Sequence, residues 1–174
     1  DLALASIAGS LVVIGDPFPP TACAAGDVRV SVVIDFSGVA TSTATCVAAS
    51  ARDSGAAVLA ARARLLGRPA PRFAASGLLC AIDGYPAEGC GVRRDGAYAY
   101  WAYYHGTSSG WTYANDGPAG HRVREDAAEG WRWHPGGTGD ARDPGPRASS
   151  DPAATCISTT GGSGFAWLGP ASRF

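Results

Sequence analysis

One stretch dominates this sequence. From Ala97 to His134 it reads AYAYWAYYHGTSSGWTYANDGPAGHRVREDAAEGWRWH. Four of the five Trp, five of the six Tyr, all three His and the single Asn lie inside it. So many rings in one run either fill the core of a small sheet or form a recognition surface. Period-2 alternation sets Tyr98, Tyr100, Ala102 and Tyr104 on one face of a strand. Trp101, Tyr103 and His105 take the other, and either face is a candidate for the core. Gly106 to Gly110 reads as a turn, and Trp111-Thr112-Tyr113 starts a further strand. Asn115-Asp116-Gly117-Pro118 breaks it. Gly130 to His134 is a last short strand with both Trp on one face.

Upstream, Val28, Val30, Val32, Ile34 and Phe36 alternate with Arg29, Ser31, Val33 and Asp35. That is a strand with one apolar face. Ser37-Gly38 turns the chain, and Val39 to Val47 alternates again, so the two form a hairpin. Asp53 or Ser54 then caps a helix over AAVLAARARLLG. Val58, Leu59, Ala61, Leu65 and Leu66 form its apolar stripe, with Arg62, Arg64 and Arg68 as a solvated face. Gly67 ends it and Pro69 prevents its return. Phe73 to Ile82 reads as a third strand, followed by the tight turn Asp83-Gly84. The expected fold is α+β: a mixed sheet of four to five strands packed on one helix.

Both ends differ from this middle. Residues 2–14, LALASIAGSLVVI, are apolar and uncharged. They are short for a membrane span and have the length of a signal-peptide core; an ordinary buried strand or helix is the other reading. From Pro135 the sequence is Gly, Pro, Ser, Thr, Ala and Asp with a few Arg, which reads as a tail. The expected division is a leader over 1–27, a domain over 28–134 and a tail over 135–174.

The chain has 174 residues and a net charge of −1. That balance argues against a nucleic-acid footprint, which needs a basic patch. Lys is absent, which removes Schiff-base and P-loop chemistry. Gly106-Thr107-Ser108-Ser109-Gly110 matches G-x-S-x-G in letters, but it reads as a turn between two strands rather than a strand-to-helix elbow, so hydrolase chemistry has no warrant. The five Cys are Cys23, Cys46, Cys80, Cys90 and Cys156, with no C-x-x-C pair. They read as disulfides formed in an oxidising compartment rather than as a zinc site. Cys80 and Cys90 bracket a short return and pair well. Cys23 with Cys46 is the next candidate pairing, leaving Cys156 over, although four Cys already allow three connectivities.

Residues 28–134 resemble the transcobalamin-like C-terminal domain family, a relative of the β-grasp fold. The resemblance rests on VSVVIDFSG, LLCAIDGYP, AYWAYYHG, GWTYANDGP and EGWRW, in that order. Small secreted members are common in actinobacteria. The resemblance implies a β-grasp-like sheet on one helix and a binding role toward cobalamin or another corrinoid, with no resident cofactor. In transcobalamin this domain covers one face of the corrinoid and a helical domain covers the other, so a partner for the second face is implied. Trp111, Tyr113 and Asn115 match the family's aromatic-Asn word, although Asp116 intervenes before Gly117.

The candidate ligand-binding residues are therefore Tyr104, His105, Trp111, Tyr113 and Asn115. The rings offer a flat apolar platform and Asn115 a polar edge. His105, at a strand end, is a candidate ligand for a corrinoid cobalt. No catalytic set and no metal-ligand spacing is visible. The expected function is a non-catalytic extracytoplasmic binding module, secreted or held at the outer face of the cytoplasmic membrane, acting with a transporter. The alternative is an accessory protein-binding subunit of a cell-envelope complex. Glycan binding on the aromatic platform is a third reading.

Overall fold

The structure is a computed structural model and describes residues 27–156. The apolar leader, Cys23 and the apolar residues Phe165, Trp167 and Leu168 lie outside the described residues.

The chain opens with the hairpin of β1 (Asp27–Asp35) and β2 (Thr43–Ser50), followed by α1 (Gly55–Leu65). Two short strands, β3 (Arg72–Phe73) and β4 (Leu79–Ala81), then pair with each other. Next come β5 (Val92–Arg94), β6 (Ala97–Thr107), β7 (Gly110–Tyr113) and β8 (Ala127–Gly137). The main sheet runs β2-β1-β8-β6-β5, with β7 also on β6. It has six strands, more than the four to five expected. All its pairings are antiparallel except β1 with β8, which is parallel. The sheet is mixed and the fold is α+β.

The period-2 pattern of β1 fixes which face carries the core. Val30, Val32, Ile34 and Phe36 join Val58 and Leu59 of α1 in one cluster. The rings of the aromatic stretch complete it. Tyr103 stacks on Trp131 at 5.0 Å, and Trp101 and Trp133 lie 5.6 Å apart. Phe36 and Tyr85 close the cluster edge-on against Trp101 and Trp133. The face bearing Trp101 and Tyr103 is thus the core.

Local sequence sets the helix ends. Ser54 accepts from the Ala57 N–H at 3.2 Å, which makes it the N-cap. At the other end Gly67 takes φ +60°, and Gly67 and Arg68 donate back to the carbonyls of Arg64 and Ala63. That is a Schellman closure, and a residue without Cβ takes this backbone at least cost.

Three expectations need correction. Arg62 is not on a solvated face. It is fully buried, and its guanidinium reaches Asp83 Oδ1 at 2.6 Å and Thr43 Oγ1 at 2.8 Å. Leu65 and Leu66 are instead the exposed residues of that helix end. The strand expected over Phe73 to Ile82 is interrupted, because Gly77 at φ +85° turns the chain back between β3 and β4. Asp83 and Gly84, both at positive φ, form the expected tight turn between Ile82 and Tyr85.

The third correction concerns the tail. β8 continues to Gly137, and residues 138–156 cross the second face of the sheet as a strap. Cys156 is joined to Cys46 of β2. This replaces the expected Cys23–Cys46 pair, whereas Cys80–Cys90 forms as expected. The strap shows no apolar period because polar contacts hold it. The central strands β1 and β8 are consequently covered on both faces. Two disulfides suggest an oxidising or extracellular environment. No helix among the described residues is long and apolar enough to cross a membrane.

The charges under the strap share one sign of pH response. Burial opposes ionisation of Asp35. Hydrogen bonds from the side chain and backbone of Arg147, the Ser37 backbone and Ser42 outweigh it, holding the carboxyl well below the usual carboxylate range. Burial also opposes ionisation of Asp143, but donors from Tyr100, Thr138 and Gly139 lower it to about 2. Burial lowers His134 below its ordinary 6.5 and keeps it neutral. All three groups bind protons more readily in the unfolded chain, so each contributes stability that is lost on acidification. The His134 contribution begins to fall below its unfolded value of 6.5. The carboxylate contributions fade from 3.8 down toward the lowered values. Hydrogen exchange followed from neutral pH toward about pH 3, with rates corrected for intrinsic pH dependence, should show strap amides losing protection before β1 amides. Simultaneous loss in both would mean that the strap is not an independent unit.

Candidate functional site

The five residues expected to bind ligand fall in three places. Tyr104 and Trp111 lie under the strap. Tyr104 is 1% exposed, with its hydroxyl 3.0 Å from the carbonyls of Asp143 and Pro144 and 3.1 Å from His134 Nε2. Trp111 donates Nε1–H to the Ala148 carbonyl at 3.0 Å. Its ring lies across Gly106 and Gly130 of two neighbouring strands. A Cβ at Gly130 would stand 2.6 Å from that ring, and one at Gly106 2.7 Å. These glycines let the ring lie flat against the sheet. The strap therefore occupies most of the expected platform. Tyr113 meets Tyr104 edge-on at 5.5 Å and is only half-buried.

An open surface remains at the sheet edge. β5 pairs with β6 over Ala97–Ala99, and β7 pairs with it over Tyr104–Thr107. Between them the outer edge of β6 carries no strand partner at Tyr100–Tyr103, while its inner edge is paired with β8. The chain leaving β7 bends across one end, with Ala114 donating to the Tyr103 carbonyl at 2.9 Å. A cleft of about 210 Å³ opens there, lined by Leu78, Trp101, Tyr113, Asn115, Asp116 and Pro118 among others. It combines apolar walls with an amide and a carboxylate at the rim. Of the five candidates, Tyr113 and Asn115 reach this cleft.

His105 points to the opposite face of β6 from Tyr104. Its Nδ1 is 3.5 Å from Glu129 Oε2, and its Nε2 is 3.7 Å from Asp116 Oδ1. The Glu129 carboxylate raises its pKa above the ordinary value, against burial. His121 arrives from the connection between β7 and β8 and sets Nε2 at 3.3 Å from Glu129 Oε1. The imidazole centroids are 3.9 Å apart. Glu129 is 1% exposed and also accepts from the Tyr103 hydroxyl. Burial and Glu129 together push Tyr103 above the ordinary phenol range. The three residues lie within the Ala97–His134 stretch but on β6, a loop and β8, so only the folding of the sheet brings them together and no metal-ligand spacing signalled His121 or Glu129. The only available clue was that Glu129 occupies a core-facing position of β8.

The cleft and the strapped sheet define a disulfide-stapled α+β domain with an open sheet edge. The chain belongs to the SCO2322-like domain family, whose model matches residues 19–95 and 93–168. The second matched segment runs through the strap. No curated protein and no solved structure matches the chain.

Proposed function

We propose that this domain is a non-catalytic extracytoplasmic binding module that takes its ligand at the gap in β6. The observation carrying this reading is the cleft itself, where unpaired strand edge, apolar walls and the Asn115 and Asp116 side chains converge. At about 210 Å³ it is smaller than the pockets that enclose a drug-sized molecule. Such a cleft grips one edge of a flat ligand and leaves the remainder to a partner.

A corrinoid or similar flat molecule, handled with a membrane uptake system, suits that division. The resemblance to the transcobalamin-like domain supports it. The opening hairpin, the single helix and the parallel β1–β8 pair support a β-grasp topology. The disulfides are compatible with action at the outer face of the cytoplasmic membrane.

Titrating cyanocobalamin into the oxidised chain, read by Trp fluorescence and calorimetry, tests this. Saturable binding that weakens about tenfold in Asn115→Ala, one lost hydrogen bond, is expected. No saturation at about 100 µM ligand would reject the corrinoid. A second reading is an accessory protein-binding subunit, favoured by Leu78 and Val92, exposed by 43% and 46% beside the same gap. Edge strand β5 would then recruit a partner strand.

A further inference from the structure

We propose that His105, His121 and Glu129 form a binding site for a divalent transition-metal cation of the zinc type. The three ligands lie outside the lining of the sheet-edge cleft, although Tyr103 and Asp116 border both sites.

The ligand atoms of the three side chains all lie within 4.8 Å of one another. Donors bound at about 2.0–2.2 Å around a tetrahedral zinc sit about 3.3–3.5 Å apart. His105 Nδ1 stands 3.5 Å from Glu129 Oε2 and His121 Nε2 stands 3.3 Å from Glu129 Oε1, so this spacing is met by a carboxylate that turns a different oxygen toward each imidazole. His105 Nδ1 is itself buried without a hydrogen-bond partner. A buried ring nitrogen left open in this way is costly unless something occupies it. A metal ion at the centre would engage that nitrogen and offset the buried charge of Glu129.

The surroundings are those of a built site. With Nδ1 on the metal, His105 Nε2 faces the Asp116 carboxylate at 3.7 Å, an outer partner that orients the ring and fixes its tautomer. The Tyr103 hydroxyl orients Glu129. That hydroxyl abuts Gly55, where no side chain fits. Gly55 also donates to the His121 carbonyl at 3.2 Å, so the start of α1 anchors the loop that carries His121. Two imidazoles and a carboxylate select zinc, cobalt or nickel over magnesium and calcium. The imidazoles are 28% and 24% exposed, which leaves a fourth coordination position open to water or to a donor from outside.

The test uses the full oxidised chain stripped by a chelator. Calorimetry with zinc chloride should give one equivalent bound, with Kd below about 1 µM. His121→Ala should weaken binding at least about a hundredfold with an unchanged near-UV spectrum. Asp116→Asn should weaken it about tenfold. Absence of uptake at about 100 µM zinc, or equal uptake by His121→Ala, overturns the proposal. Should that variant not fold, cobalt(II) bound to the unaltered chain decides. Intense visible bands of a four-coordinate ion support the site, and the weak bands of the hydrated ion overturn it.

Discussion

Replacing Cys46 and Cys156 together by Ser is expected to lower unfolding stability by about 4 kcal/mol, because this cross-link closes a very long loop. The two residues are 110 apart in sequence, so the bond removes far more freedom from the unfolded chain than Cys80–Cys90, which spans 10. In the chain-entropy account stabilisation rises with the logarithm of loop length. The native domain should retain its fold. Asp35 still anchors Arg147 at 2.7 Å, and Trp111 still holds Ala148. Urea unfolding of the two oxidised proteins measures the difference. A loss under about 1 kcal/mol would mean that the unfolded chain is already compact without the bond.

Arg62→Ala should be comparably severe, at about 3–5 kcal/mol, because it strands one member of a buried ion pair. The guanidinium bridges α1 to β2 through Thr43 and to the Ile82–Tyr85 turn through Asp83, whose side chain is only 12% exposed. Removing it leaves Asp83 facing a cavity with no cation. Arg62→Met combined with Asp83→Asn fills the space and removes the lone charge. Asn suits position 83, which sits at φ 51°. This double variant should recover most of the loss. A double-mutant cycle by chemical denaturation checks it. Equal destabilisation in the single and double variants would assign the role of Arg62 to its hydrogen bonds, such as that to Thr43, rather than to the stranded charge of Asp83.

What the sequence made legible was local. The alternation in β1 and β2 marked a hairpin, and Ser54 with Gly67 bounded the helix. Cys80 and Cys90 were close enough to suggest their own pairing. Apart from the strand break at Gly77, which is a local turn, the missed features depend on contacts that the chain's own neighbours do not reveal. Arg62 looked like any helical Arg until the topology brought Asp83 and Thr43 over it. The strap looked like a tail because Asp143, Arg147 and Tyr104 hold it through polar groups, which leave no hydrophobic period. The parallel pairing of β1 with β8 joins the two ends of the domain and has no local signature. Of the expected ligand residues, Tyr113 and Asn115 reach the open cleft, while Tyr104 and Trp111 lie beneath the strap. Alternation told apart the two faces of β6 but carried no information about what covers each one.

The Cys46–Cys156 bond also bears on how the molecule is made. In a chain that enters an oxidising compartment N-terminus first, Cys46 arrives long before its partner. Cys23, Cys80 and Cys90 all precede Cys156 in that order. Oxidation in order of arrival would give Cys46 a wrong partner, and the native bond then requires thiol–disulfide exchange. Production of the correctly paired protein should therefore depend on a disulfide isomerase rather than on an oxidant alone.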